Sequence, residues 1–170
     1  MPCSIAQSLN VVGEWWTLLI LRDVFYGVRR FEAFHDHLGI SRKVLADRLR
    51  RLTDEKVLKK VPYQNNPTRF EYRLTRKGLD LLPILLSLMN WGDRWQTKPE
   101  QTPVVFLHTD CNHLTTPKLV CSHCNGSLDA GNIEPQRGPG ASEREILRLQ
   151  QASINPDLFA KQVTKTQLRK

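Results

Sequence analysis

Cys111, His113, Cys121, His123 and Cys124 crowd into one short polar stretch, TDCNHLTTPKLVCSHCNGSLDAGN. Thiolate sulfur and imidazole nitrogen are the donors of tetrahedral Zn²⁺ sites, and C-x₂-C is the spacing of a metal knuckle. Cys111, His113, Cys121 and Cys124 are the four candidate ligands, with His108 and His123 spare. The C-x-H spacing of the first pair is tighter than usual for structural zinc, so a metal-free reduced C-x₂-C or a disulfide between two of these cysteines stands beside it. Paired thiols also raise a thiol oxidoreductase. That reading needs C-x-x-C beside a βαβ pattern, whereas Lys118–Val120 and Asn125–Gly126 read as a hairpin strand and a turn, so no enzyme is expected. The fourth cysteine, Cys3, stands at a predicted helix start, where the backbone dipole favours a reactive thiolate. The alternative is a small buried apolar residue.

A second kind of chemistry is charge, concentrated in FEAFHDHLGISRKVLADRLRRLTDEKVLKKVPYQNNPTRFEYR, from Phe31 to Arg73. A helix over residues 42–54 places Leu45, Leu49 and Leu52 on one stripe, at i, i+4 and i+7. Lys43, Asp47, Arg50 and Asp54 fall on the opposite face, with Arg51 at an edge and Ser41 and Arg42 at the N-terminal end. Ser41 is a good N-cap. Two runs of period two follow, Val57–Tyr63 and Arg69–Leu74, around the polar turn Gln64–Thr68, which reads as a hairpin. Helix, tight turn, basic helix and hairpin make a winged helix-turn-helix, whose second helix enters a DNA major groove. From the hairpin, Asn65, Asn66 and Arg69 could reach phosphates or a minor groove. A winged helix that binds RNA or docks a protein is the alternative for the same face.

The remaining elements must hold this unit. Residues 3–9 suit a short helix, broken at Asn10–Gly13. EWWTLLILRDVFYG is apolar on most sides, so a buried helix with both Trp15 and Trp16 in the core is expected, ending at Gly27. Phe31, Phe34 and Leu38 recur at helical spacing and leave His35 and His37 in water. Thr75 can cap a helix from Arg76 to about Trp95, which Pro83 should kink or restart. Its apolar surface is too broad for one small domain to cover. Leu85, Leu88, Met89, Trp91 and Trp95 are therefore candidates for a homodimer interface.

The expected fold is mainly α with a small β-hairpin wing (α+β), followed by a cysteine-containing extension. The expected divisions are a DNA-binding and dimerisation domain over 1–97, a linker over 98–103, a small β extension over 104–134, and a Gly/Pro-rich break with a helical tail over 135–170. In that tail Ser142 and Glu145 fit a capping box before SEREILRLQQASI. A net charge of +8 favours polyanionic partners. No apolar run reaches the roughly 18 residues that span a bilayer. With neither a secretory leader nor a disulfide framework, a reducing cytosol is the expected compartment.

Taken together, CSIAQSLNVVGEWWTLLILRDVFYG, RRFEAFHDHLGISRKVLADRLRRLTDEKVL and FEYRLTRKGLDLLPILLSLMNWGDRW resemble the HxlR-type family of bacterial winged-helix transcription regulators. The resemblance covers residues 3–97. It implies a homodimer on an inverted-repeat operator in double-stranded DNA, with a recognition helix at Ser41–Leu52 and a wing at Tyr63–Tyr72. Some family members respond to reactive aldehydes, quinones or oxidants through a cysteine near the N-terminus, a place held here by Cys3. A small-molecule effector near the dimer interface is a further implication. Trp15 departs from the pattern, standing where many members carry a basic or polar residue.

Overall fold

The computed structural model describes residues 3–129, 131–144 and 146–147. Residues 3–117 make one compact unit, and the described residues from 118 onward belong to a second.

The first unit is built from helices α1 (Ser4–Val12), α2 (Trp15–Phe25), α3 (Phe31–Leu38) and α4 (Arg42–Asp54), then strands β1 (Leu58–Asn65) and β2 (Thr68–Leu74). Helices α5 (Arg76–Leu79) and α6 (Leu82–Trp95) follow, then a 3₁₀ turn at Pro99–Gln101 and a second hairpin, β3 (Phe106–His108) with β4 (His113–Thr115). The core is a single cluster. Ile20, Leu21 and Val24 of α2 meet Phe34 of α3, the stripe Leu45, Leu49 and Leu52 of α4, Leu58 and Tyr72 of the wing, and Leu85 of α6. The i, i+4, i+7 stripe of α4 thus sits where its spacing put it.

Sequence marks most of the boundaries. Ser41 caps α4 by accepting the Val44 N–H at 3.4 Å. Gly39 adopts φ 63° between α3 and α4, a left-handed turn that glycine makes without penalty. Thr75 caps α5 through the Gly78 N–H at 3.2 Å, while its own hydroxyl donates to the Lys56 carbonyl at 2.5 Å. A methyl group at Gly78 would overlap the Val57 carbonyl oxygen, so only glycine lets α5 settle against the start of the wing. Pro83 starts a new helix rather than bending one: α5 ends at Leu79, and Pro83 lies in the first turn of α6, where its missing N–H costs nothing.

Three expectations need correction. Helix α1 does not stop at Leu9; it runs to Val12, which is buried in the core, and Gly13 closes it by donating to the Leu9 carbonyl at 2.8 Å. The two tryptophans part company. Trp16 packs against the core, but Trp15 at the start of α2 is 78% exposed. The periodicity was nearly isotropic there, whereas the family position, usually polar, marks a surface site. Nor are His35 and His37 merely solvated. His35 Nδ1 lies 2.7 Å from the Ile40 carbonyl, tying α3 across the tight turn, and His37 Nδ1 lies 2.8 Å from Asp23 Oδ2.

In the second unit, an isolated bridge joins Val120 to Ser127 around the C-x₂-C turn. The helical tail begins at Ser142, whose carbonyl accepts the Ile146 N–H at 3.0 Å. Glu145 of the expected capping box and residues 148–170 lie outside the described residues.

Candidate nucleic-acid interface

Helix α4 buries its leucines and leaves Arg42, Lys43, Ala46, Arg50 and Arg51 exposed. Their side chains are not equivalent. Arg42 makes a two-pronged pair with Glu32 of α3, both N···O distances being 2.6 Å. Arg50 is held by Asp47 one turn back at 2.7 Å, and Arg51 donates to the Asn10 carbonyl at the end of α1. Arg48 reaches toward Glu14 at 3.8 Å. Lys43 makes no ion pair or side-chain hydrogen bond among the described residues, so its ammonium is available to a ligand. Ser41 spends its oxygen on the helix cap.

The wing is fixed against the helix-turn-helix by residues just ahead of α3. Tyr72 N–H donates to the Arg29 carbonyl at 2.8 Å, and Arg30 forms a bridge with Glu71 in the sheet. The Arg30 guanidinium also lies 4.3 Å from the Tyr63 ring centre, within cation–π range. Strands β1 and β2 pair antiparallel with an irregularity between Pro62 and Gln64, and the tip carries a cis Asn66–Pro67 peptide. Asn65 and Asn66 are exposed at that tip, and Arg69 is exposed at its flank.

Glu32 reports how these parts converge. The Arg42 guanidinium, by hydrogen bond first and charge second, holds the Glu32 carboxyl below the usual carboxylate range. His35 and Arg69 pull the same way. This one carboxylate of α3 therefore lies within electrostatic reach of both Arg42 at the start of α4 and Arg69 at the flank of the wing. Glu32 was not legible as part of this face, because its role depends on a partner ten residues away. Changing Glu32→Gln frees Arg42 and deletes a negative charge from the face. Affinity for random-sequence duplex should rise several-fold and its salt dependence steepen by about one ion, read by fluorescence anisotropy at two salt concentrations.

The comparisons agree with this geometry. The family model of HxlR-like helix-turn-helix proteins matches residues 11–100. The chain belongs to that family. It is 44% identical over 137 residues to the uncharacterized HTH-type transcriptional regulator Rv3095 of Mycobacterium tuberculosis, across 81% of this chain and 87% of that protein. The same identity and coverage hold for Mb3122 of Mycobacterium bovis. Among solved structures, the transcription factor PA1607 superposes with a TM-score of 0.71 at 32% identity, over 81% of this chain and 96% of that one. HypR, a redox regulator in its reduced form, gives 0.51 at 28% identity over 54% of this chain and 92% of its own. This HxlR-family protein is thus a transcription regulator with a winged helix-turn-helix, not an enzyme. Among the described residues no helix is long and apolar enough to cross a membrane.

The cysteines fall into separate settings. Cys3 is half-buried at the head of α1, its carbonyl accepting the Gln7 N–H at 2.9 Å. Cys111 lies in the β3–β4 turn with its sulfur 3.2 Å from His108 Nδ1, and His113 Nδ1 lies 2.6 Å from the Cys111 carbonyl. In the second unit Cys121 and Cys124 close a tight turn, with Asn125 N–H donating to the Cys121 carbonyl at 2.9 Å. All four thiols are free. Among the described residues no three His, Cys, Asp or Glu side chains gather into a group that could hold a metal ion. The turn does activate one sulfur. The backbone N–H groups of Cys124 and His123, then the Cys124 thiol, hydrogen-bond to Cys121 and lower its pKa below the ordinary thiol value. Alkylation of Cys121 by iodoacetamide, followed by peptide mass spectrometry, should therefore reach half its maximal rate below the pH of about 8.5 expected of a free cysteine.

Proposed function

We propose that the protein is a homodimeric, sequence-specific regulator that reads an inverted repeat, with α4 in successive major grooves and the wing tip against the backbone. The observation that carries this reading is the set of cations at the start of α4 and the wing flank: Lys43 exposed and unclamped among the described residues, and Arg42 paired with Glu32, a carboxylate that Arg69 also acts on. Residues at the start of a recognition helix meet base edges, and wing cations meet phosphates. Dimerisation is supported by apolar surface that the chain itself leaves open. Leu88, Trp91 and Trp95 of α6 are each about half exposed, and Ile5 and Leu9 of α1 are more exposed still. Leu85 serves the chain's own core, and Met89 is partly covered beside Tyr26. Two copies related by a two-fold axis would set half-sites about 34 Å apart.

The test is selection of bound duplexes from pooled genomic fragments at two salt concentrations. Recovery of one inverted repeat, with affinity well above that for random duplex, is expected. Weak binding with no shared motif would refute the reading.

We further propose that Cys3 is an electrophile or oxidant sensor, supported by its place at the head of α1 beside the exposed apolar face, and by likeness to HypR, which is named a redox regulator. Operator release by a quinone or hydrogen peroxide should disappear in Cys3→Ser. A response that survives this change in full would overturn the assignment.

A further inference from the structure

Between α2, α6 and the β3–β4 hairpin lies a cavity of about 370 Å³, within the size range of small-molecule sites. Its walls are largely hydrocarbon, from Phe25, Leu82, Leu86 and Phe106. Four polar residues line it: Arg22, Tyr26, His108 and Thr115. Burial pushes the Tyr26 phenol above its ordinary pKa, so it remains a hydroxyl donor near neutrality. Among the described residues its hydroxyl donates only to the Met89 sulfur, at 3.9 Å, a weak bond that a better acceptor would displace.

Arg22 is the informative residue. Its Nε and Nη2 donate to Asp23 Oδ1 at 3.0 and 2.8 Å and its guanidinium lies 6.0 Å from the Tyr26 ring centre, while Nη1 makes no hydrogen bond among the described residues. Asp23 is completely buried, and its other oxygen meets His37 of α3 at 2.8 Å. A chain of charge-assisted contacts therefore runs from the cavity wall, through a buried carboxylate, to the helix that precedes the recognition helix. We propose that this cavity binds a small apolar carboxylate, its hydrocarbon among the leucines and phenylalanines and its anion on Arg22 and Tyr26, and that occupancy is transmitted through Asp23 and His37 to the helix-turn-helix. The proposal rests on the regulator reading above and supplies its effector class.

An anion held on Arg22 Nη1 draws the guanidinium, and part of its charge, away from Asp23. A buried carboxylate deprived of one partner presses harder on the other, and His37 is that other. Ligand binding should therefore shift α3 and lower operator affinity about five-fold or more, as a coupling between sites requires.

The test uses the full chain with benzoate and octanoate as probes, and benzyl alcohol and 1-octanol as uncharged counterparts, by titration calorimetry. The acids should bind at least ten-fold tighter than the alcohols. Arg22→Met should abolish that preference, a loss of about ten- to hundred-fold for the acids. Because Arg22→Met could unsettle Asp23, Thr115→Trp provides an independent check: it narrows the cavity from an exposed strand position and should weaken both acids about ten-fold with operator affinity unchanged. His37→Ala should keep acid affinity and lose the acid's effect on operator binding. Acids that bind no tighter than the alcohols would overturn the site, and acids that bind but leave operator affinity unchanged would overturn the transmission. A protein that selects no DNA sequence would instead refute the regulator reading, while calorimetry would still decide the cavity.

Discussion

Replacing Lys43 and Arg69 together with alanine should lower affinity for the selected operator by about a hundred- to a thousand-fold. Each cation contacting a base edge or phosphate contributes on the order of 1–3 kcal/mol, and 1.4 kcal/mol is a factor of ten. These two are chosen over Arg50 and Arg51 because of what each already holds. Arg50 is clamped by Asp47 and Arg51 by the Asn10 carbonyl, so recruiting either to DNA means breaking an existing contact. Among the described residues Lys43 is not clamped, and Arg69 acts on Glu32 through its charge rather than by a hydrogen bond. The two single changes should separate by mechanism. Arg69→Ala should weaken specific and random duplex alike and reduce the salt slope by about one. Lys43→Ala should also relax preference at one position of each half-site. Equal, small losses of less than three-fold in both would show that α4 does not enter the groove.

The same contrast explains what could be read before the fold was known. Helix α4 was legible almost to the residue, because a capping serine, a left-handed glycine and a leucine stripe all speak the same local language. The wing was legible for the same reason, through alternation and a polar turn. The electrostatic fabric was not. Glu32–Arg42 joins two helices across a turn, His37–Asp23 joins α3 to α2, and Arg30–Glu71 joins a connecting loop to the sheet. Each pair depends on packing angles that no local pattern encodes. One hint did exist: Arg22 and Asp23 interrupt an otherwise apolar helix, and a charge on a buried face must find a partner. The β3–β4 hairpin taught the converse. Its sequence placed it with the cysteine-rich extension, yet it shares a unit with the helices and closes the cavity beside α6.

The largest effect on function should come from residues that touch no DNA. Changing Leu88 and Trp91 together to aspartate places two charges on the open face of α6, where both side chains are about half exposed within the single chain. A solitary protomer tolerates exposed charge there, whereas a buried two-fold interface does not, since an unpaired carboxylate cannot be desolvated cheaply. Sedimentation velocity should show the wild-type chain as a dimer and the double variant as a monomer that keeps its helical circular dichroism. Operator affinity should then fall about a hundred- to ten-thousand-fold, because the second half-site is no longer bound at high effective concentration, while the affinity of one protomer for an isolated half-site stays the same. Leu85→Ala supplies the contrast from the same helix. Its side chain is only 6% exposed and belongs to the core, so its truncation should destabilise the fold by about 2–5 kcal/mol and leave the folded fraction dimeric. A double variant that remains a dimer would move the interface off α6, with the exposed Ile5, Leu9 and Trp15 of α1 and α2 as one alternative apolar surface of the first unit.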